Sequence, residues 1–98
     1  YSFILNFSAG QQYAANIEGF GAGDTISLVN APADSSYVID SDEVAALTFG
    51  VNSSDYSSSW AINFENLSTQ LVTEVQEQTD IAAKIGVLEA AWGDWLVA

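Results

Sequence analysis

The chain has no histidine, no cysteine and, apart from Lys84, no basic side chain. Against that one cation stand 13 Asp and Glu residues, for a formal charge of −12 over 98 residues. Each absence removes a class of function. Without Arg or clustered Lys nothing can neutralise phosphate, which excludes nucleic-acid and nucleotide binding and argues against docking on anionic lipid. Without His and Cys, the usual neutral-pH base, the thiolate nucleophile and the preferred zinc ligands are all missing. A Ser-His-Asp triad cannot be assembled, and no disulfide can report a redox compartment. No apolar run approaches the roughly 18–20 residues that span a bilayer.

What is present is carboxylate, hydroxyl and amide oxygen on an apolar frame. Only 14% of the residues are charged and 49% are hydrophobic, whereas an ordinary domain has roughly 25% charged residues. Three Trp, four Tyr and five Phe are spread along the chain, so it can build a core and is not an acidic disordered tail. Its polar surface is expected to be Ser, Thr, Asn and Gln. That surface lacks Lys, the side chain most used to blunt exposed sheet edges, and so points to self-association. Oxygen donors alone suit hard cations, calcium above all.

Period-2 alternation marks the strands. Tyr1, Phe3, Leu5 and Phe7 share one face of the first, and Tyr13, Ala15 and Ile17 one face of the second. The Gly10 turn between them predicts a hairpin. Ile26 and Leu28 begin a third strand, ended by Asn30–Asp34, and Tyr37–Ile39 is a short fourth. Val44–Val51 makes a fifth, and Trp60, Ile62 and Phe64 a sixth. Beyond Leu67 the period lengthens, and Thr69–Gln76 reads as helix. Thr79 or Asp80 can cap a final helix with the stripe Ile81, Ile85, Leu88, Trp92, Trp95 and Leu96. The expected architecture is one domain, residues 1–98. It is an antiparallel β-sandwich of about six strands over residues 1–67, with a C-terminal amphipathic helical region near 69–97.

Ile17-Glu18-Gly19-Phe20-Gly21-Ala22-Gly23-Asp24-Thr25-Ile26-Ser27-Leu28 is the most distinctive stretch. It resembles the calcium-associated modules of bacterial type I-secreted proteins, the repeats-in-toxin proteins and related adhesins. Gly19, Asp24 and Ile26 align with single positions of one such turn. Phe20 and Ala22 stand where that turn has Gly, and the nonapeptide repeat of the family's β-roll does not occur. The resemblance implies a capping or C-terminal region that follows a roll, or a free-standing relative, with Asp24 as a calcium ligand. The loop chemistry itself favours a Gly-rich turn with Phe20 in the core and Asp24 bonded to the loop backbone.

Asp40-Ser41-Asp42-Glu43 puts three carboxylates in four residues, with Asp34 close by. Asp-x-Asp spacing lets two carboxylates converge on a calcium ion, which takes 6–8 oxygens; a solvated acidic turn satisfies the same residues. The candidate metal ligands are therefore Asp24, Asp40, Asp42 and Glu43. Asn6, Asn52 and Asn66 each begin an N-glycosylation triplet, and Asn52, in a polar stretch, is the one best placed. Glu18, Glu65 and the acidic run could supply the pair of a two-carboxylate glycosidase. A chain this short, with a core to fill, leaves little room for a sugar cleft, so an enzyme is not expected. Tyr37, Tyr56 and Trp60 are candidates for a sugar-stacking platform.

Together these readings predict a secreted, non-enzymatic structural β domain. Its partners are copies of itself or a larger extracellular filament, matrix or adhesin assembly, and calcium is its stabiliser. Pairing of Tyr1–Ser8 with a neighbour by strand addition predicts that deleting residues 1–8 abolishes assembly but leaves a folded monomer. The alternatives are a C-terminal calcium-folding secretion module whose Ile81–Ala98 tail is read by an exporter, and a carbohydrate-binding module.

Overall fold

The computed structural model describes residues 2–7, 12–31, 35–53 and 58–97. Along them run β1 (Ser2–Asn6), β2 (Tyr13–Glu18), β3 (Thr25–Val29), β4 (Ser36–Glu43), β5 (Ala46–Ser53), β6 (Ser58–Glu65), α1 (Thr69–Gln76), α2 (Ile81–Trp92) and β7 (Leu96–Val97). The chain is mainly β with two helices. A strand lies at each of the six places read from the sequence, but β4 runs on through Glu43 and β5 begins only at Ala46, and β7 is an addition.

Two sheets form among the described residues, of order β1-β3-β7 and β2-β6-β5-β4. The β4–β5–β6 meander is antiparallel, but β1–β3, β2–β6 and β3–β7 are parallel. The expected all-antiparallel arrangement is thus corrected, and so is the β1–β2 hairpin. Alternation says which side chains face the core and nothing about which strand is the neighbour. β1 and β2 lie in different sheets, with Leu5 of one and Tyr13 of the other lining one cavity beside Trp60. The Ala9–Gln11 turn is outside the described residues. Gly19–Asp24 then carries the chain back to the first sheet, where β3 pairs with β1 from Ser2–Thr25 to Asn6–Val29. Parallel neighbours need a crossover, and β2 is that crossover.

One buried cluster joins both sheets and the helices. Leu5, Ile26 and Leu28 come from one sheet, Phe49, Ile62 and Phe64 from the other, and Val72, Val75, Leu88 and Trp92 from the helices. At its centre is an aromatic hub. The Phe64 ring lies 4.9 Å from Phe20, 5.4 Å from Trp92 and 6.1 Å from Trp95. The two Trp contacts are edge-to-face, the arrangement favoured by ring quadrupoles. The radius of gyration, 12.9 Å, is near the ~13 Å expected of one compact unit of about 100 residues.

Asp80 is the cap of α2, its Oδ1 accepting the Ala82 N–H at 2.9 Å. Ser68 caps α1, over the span the sequence period indicates. The final helix is shorter than its stripe suggested. Gly93 adopts φ 81°, a left-handed conformation open to glycine, and its N–H closes the helix on Glu89 O. Trp95 and Leu96 consequently leave the helix. The Trp95 carbonyl accepts from Ile26 N–H at 2.6 Å, and Leu96 pairs with Ile26 in β7.

Candidate functional site

An exposed sheet edge offers a row of unpaired backbone groups, and folded proteins normally protect it. Four strands end the two sheets here: β4, β7, β2 and β1. Three carry a visible protection. β4 has a break in register between Asp40 and Glu43, both helices lie against it, and Lys84 Nζ donates to its Ile39 carbonyl at 3.0 Å. The one basic side chain therefore guards an edge, a role that composition alone did not reveal. Lys84→Met is expected to lower stability by about 1 kcal/mol, the net worth of one such hydrogen bond, as read by urea denaturation. β7 has only two residues. β2 ends in Glu18, which sits directly opposite Glu65 of β6 and adds charge to that edge.

Among the described residues, β1 has none of these. Ser2-Phe3-Ile4-Leu5-Asn6 carries no charge and no Pro, and its pairing with β3 is unbroken over all five residues. The Phe7 N–H donates to Val29 O on β3. By the alternation of a parallel ladder, Phe3 and Leu5 also turn their backbone groups to β3, while Ser2, Ile4 and Asn6 turn theirs to the free edge. Ile4 is 67% exposed. Val29 and Val97, both exposed, lie on the same outer face. The Ser2 and Thr25 hydroxyls are 3.2 Å apart, and Asn30 Nδ2 donates to Asn6 Oδ1 at 3.2 Å, so the outer ends of β1 are held to β3.

Beside this edge, β1 and β2 enclose two hollows. One, of about 250 Å³, is lined by Ile4, Leu5, Asn6, Gln12, Tyr13 and Trp60. The other, of about 370 Å³, is lined by Phe3, Asn16, Ile17, Glu18, Phe20 and Asp24. A third, of about 210 Å³, lies on the four-stranded sheet among Glu43, Ala46, Thr48, Asn63 and Glu65.

Of the carboxylates singled out from the sequence, Asp24 and Glu43 lie apart. Asp24 Oδ2 accepts the Gly21 N–H at 2.9 Å, while the Asp24 N–H donates to Gly21 O at 3.0 Å. Phe20 is buried against Phe64 and Trp92. The glycine segment is thus a tight turn between sheets, stapled by Asp24. Asp40 to Glu43 do not form a loop: they are the end of β4, and the turn is Val44–Ala45. Ser41 Oγ lies 2.7 Å from Glu43 O and 2.9 Å from Ala46 O, which ties that end down. Asp40 and Glu43 are exposed. Asp24 and Glu43 line different hollows. The Asp42 side chain and Asp34 lie outside the described residues. Among the described residues no three carboxylates gather as a metal-binding group.

Trp60 is 3% exposed, with its ring centroid 4.1 Å from Phe7, and Tyr37 stacks on Phe49. Trp60 therefore offers no open face for a sugar, Tyr37 is half-buried, and Tyr56 lies outside the described residues. Asn6, Asn52 and Asn66 are all exposed. A polar ladder crosses the four-stranded sheet: Thr48 Oγ1 donates to Asn63 Oδ1 at 2.7 Å, and Asn63 Nδ2 donates to Asn16 Oδ1 at 2.8 Å. Each of these occupies the polar phase of its strand, but only the register shows that they meet. Comparison with protein-family models, curated proteins and solved structures returned no match. No helix among the described residues is long and apolar enough to cross a membrane.

Proposed function

We propose that this chain is a secreted, non-enzymatic structural domain that associates with copies of itself in an extracellular filament, matrix or adhesin assembly. Its two sheets stack as a β-sandwich around the shared core. The observation that carries the reading is the β1 edge, which is uncharged and unbroken, carries exposed Ile4 and is bordered by exposed Val29 of β3. Edges of this kind are templates for strand pairing unless blocked. Light scattering of the purified chain across a concentration series tests it: mass is expected to rise with concentration, and a monomer throughout would remove the reading.

Calcium acts in this proposal as a stabiliser of an over-charged fold. At −12 self-repulsion opposes the compact state, and Glu18 opposite Glu65 is a cross-strand pair of like charge, which is unfavourable. The ligands proposed fall in two separate places, Asp24 beside one hollow and Asp40, Asp42 and Glu43 at the end of β4. Because Asp24 also staples its own turn, Asp24→Ala is expected to lower the melting temperature without calcium, and to lower it further when calcium is present. An equal loss in both conditions, seen by calorimetry, would remove Asp24 from the ion's ligands.

The alternative of a secretion module fits less well. Its exporter-read tail would be the segment from Ile81 onward, yet Leu88, Trp92 and Trp95 of that segment are buried in the core and Leu96–Val97 pair with β3.

A further inference from the structure

We infer that the partner of β1 is the β1 strand of a second copy, antiparallel and centred on Ile4, so that the two three-stranded sheets continue into each other as one. The inference rests on the self-association reading and gives it a register.

Three features select this occupant. First, the groups that face the free edge belong to Ser2, Ile4 and Asn6, residues spaced symmetrically about Ile4. A two-fold axis through Ile4 sets Ile4 against Ile4 and Ser2 against Asn6 of the second copy. All of these are then hydrogen-bonded pairs, because their outward N–H and C=O groups face one another. A closed two-fold contact uses the same patch twice, and this strand is complementary to itself.

Second, the charge on the chain restricts what can meet. With 13 acidic side chains and one basic one, most faces of two copies repel. The β1 segment has no carboxylate, and the flanking groups on the outer face of its sheet, Thr25, Ser27, Val29 and Val97, are also neutral. Like-charge juxtaposition is a strong bar to association, and along β1 and this outer face it is absent. The nearby carboxylates, Glu18 and Asp24, line the hollow beside Phe3, which the antiparallel register sets against the uncharged Asn6 end of the second copy. Third, Ile4 is 67% exposed; the pairing sets the two Ile4 side chains beside each other on one face, the cross-strand contact that stabilises sheets. The contact consumes the β1 edge of both copies, so the pair is a closed dimer, and larger assemblies are built from that dimer.

Because the chain contains no cysteine, single cysteines can read the register. In an antiparallel hydrogen-bonded pair opposed Cα atoms lie about 5.5 Å apart, within disulfide range. Ile4→Cys is expected to form a covalent dimer under mild oxidation about tenfold or more faster than Val44→Cys, since pre-association raises the local thiol concentration. Val44 is the stricter control, being 74% exposed. Ser2→Cys should cross-link with Asn6→Cys but not with itself. Ile4→Pro removes an N–H that faces the free edge while sparing the β3 ladder, and is expected to be monomeric. Ile4→Lys, which keeps every backbone group and adds a gatekeeping charge, is expected to be monomeric too, with melting temperature retained.

Equal cross-linking at Ile4 and Val44, self-linking at Ser2, or association that survives both Ile4→Pro and Ile4→Lys would overturn the register while leaving self-association by another surface. A wild-type chain with no association at any concentration would overturn both.

Discussion

Deleting residues 1–8 is expected to destroy the cooperative fold rather than release a folded monomer. From the sequence alone this strand looked detachable, a donor for a neighbour. In the structure it is built in. Leu5 and Phe7 are 5% and 3% exposed, Phe7 packs on Trp60 at 4.1 Å and Phe3 on Phe20 at 6.2 Å. All five residues of β1 pair with β3. Losing one large core side chain costs about 2–5 kcal/mol, and the deletion removes two together with a whole strand ladder. That total meets or exceeds the usual stability of roughly 5–15 kcal/mol. Near-UV circular dichroism and calorimetry of the truncated chain should show no cooperative transition; a retained transition would mean that β1 is peripheral to the core. The strand can therefore accept a partner along its outer edge, but it cannot be given away.

The second large effect is expected at the aromatic hub. Phe64 is fully buried and touches Phe20, Trp92 and Trp95. Phe64→Ala is expected to cost about 3–5 kcal/mol, the transfer term plus the cavity left by a rigid surround. Trp95→Phe should cost clearly less although Trp95 is also fully buried. Its indole N–H has no hydrogen-bond partner among the described residues, so replacing it gives up no polar contact and relieves an unpaired donor. Its ring packs edge-on against Phe49 and Trp92, contacts that a phenyl ring can partly keep. Urea denaturation of the two variants checks the order, and a larger loss for Trp95→Phe would show that the indole nitrogen has a partner after all.

How far the fold was legible follows from what periodicity encodes. Phe3 to Phe7, Tyr13 to Ile17 and Trp60 to Phe64 declared themselves as strands because burial on one face forces alternation. Thr69–Gln76 showed its helical period. Neighbours were not legible, because an alternating strand looks the same beside any partner; hence β1 and β2 read as a hairpin when each pairs in parallel elsewhere. The helix limit was misplaced because the apolar spacing runs on through Trp95 and Leu96, although Gly93 turns the backbone out of the helix before them. Asp24 was legible as a loop residue bonded to its own turn, but Asp40–Glu43 looked like a loop only because acidic residues are uncommon in strands. Lys84 illustrates the opposite limit. Its scarcity is plain in the sequence, whereas its position on the β4 edge depends on how α2 packs.

The absence of protection on β1 among the described residues, beside its presence on β2, β4 and β7, is the physical core of this account. Sedimentation velocity of the purified chain, with and without millimolar calcium, tests it most directly. The account predicts species larger than the monomer, collapsing to monomer in Ile4→Lys, with calcium shifting stability more than stoichiometry. A compact monomer in both conditions, unchanged by Ile4→Lys, would contradict it.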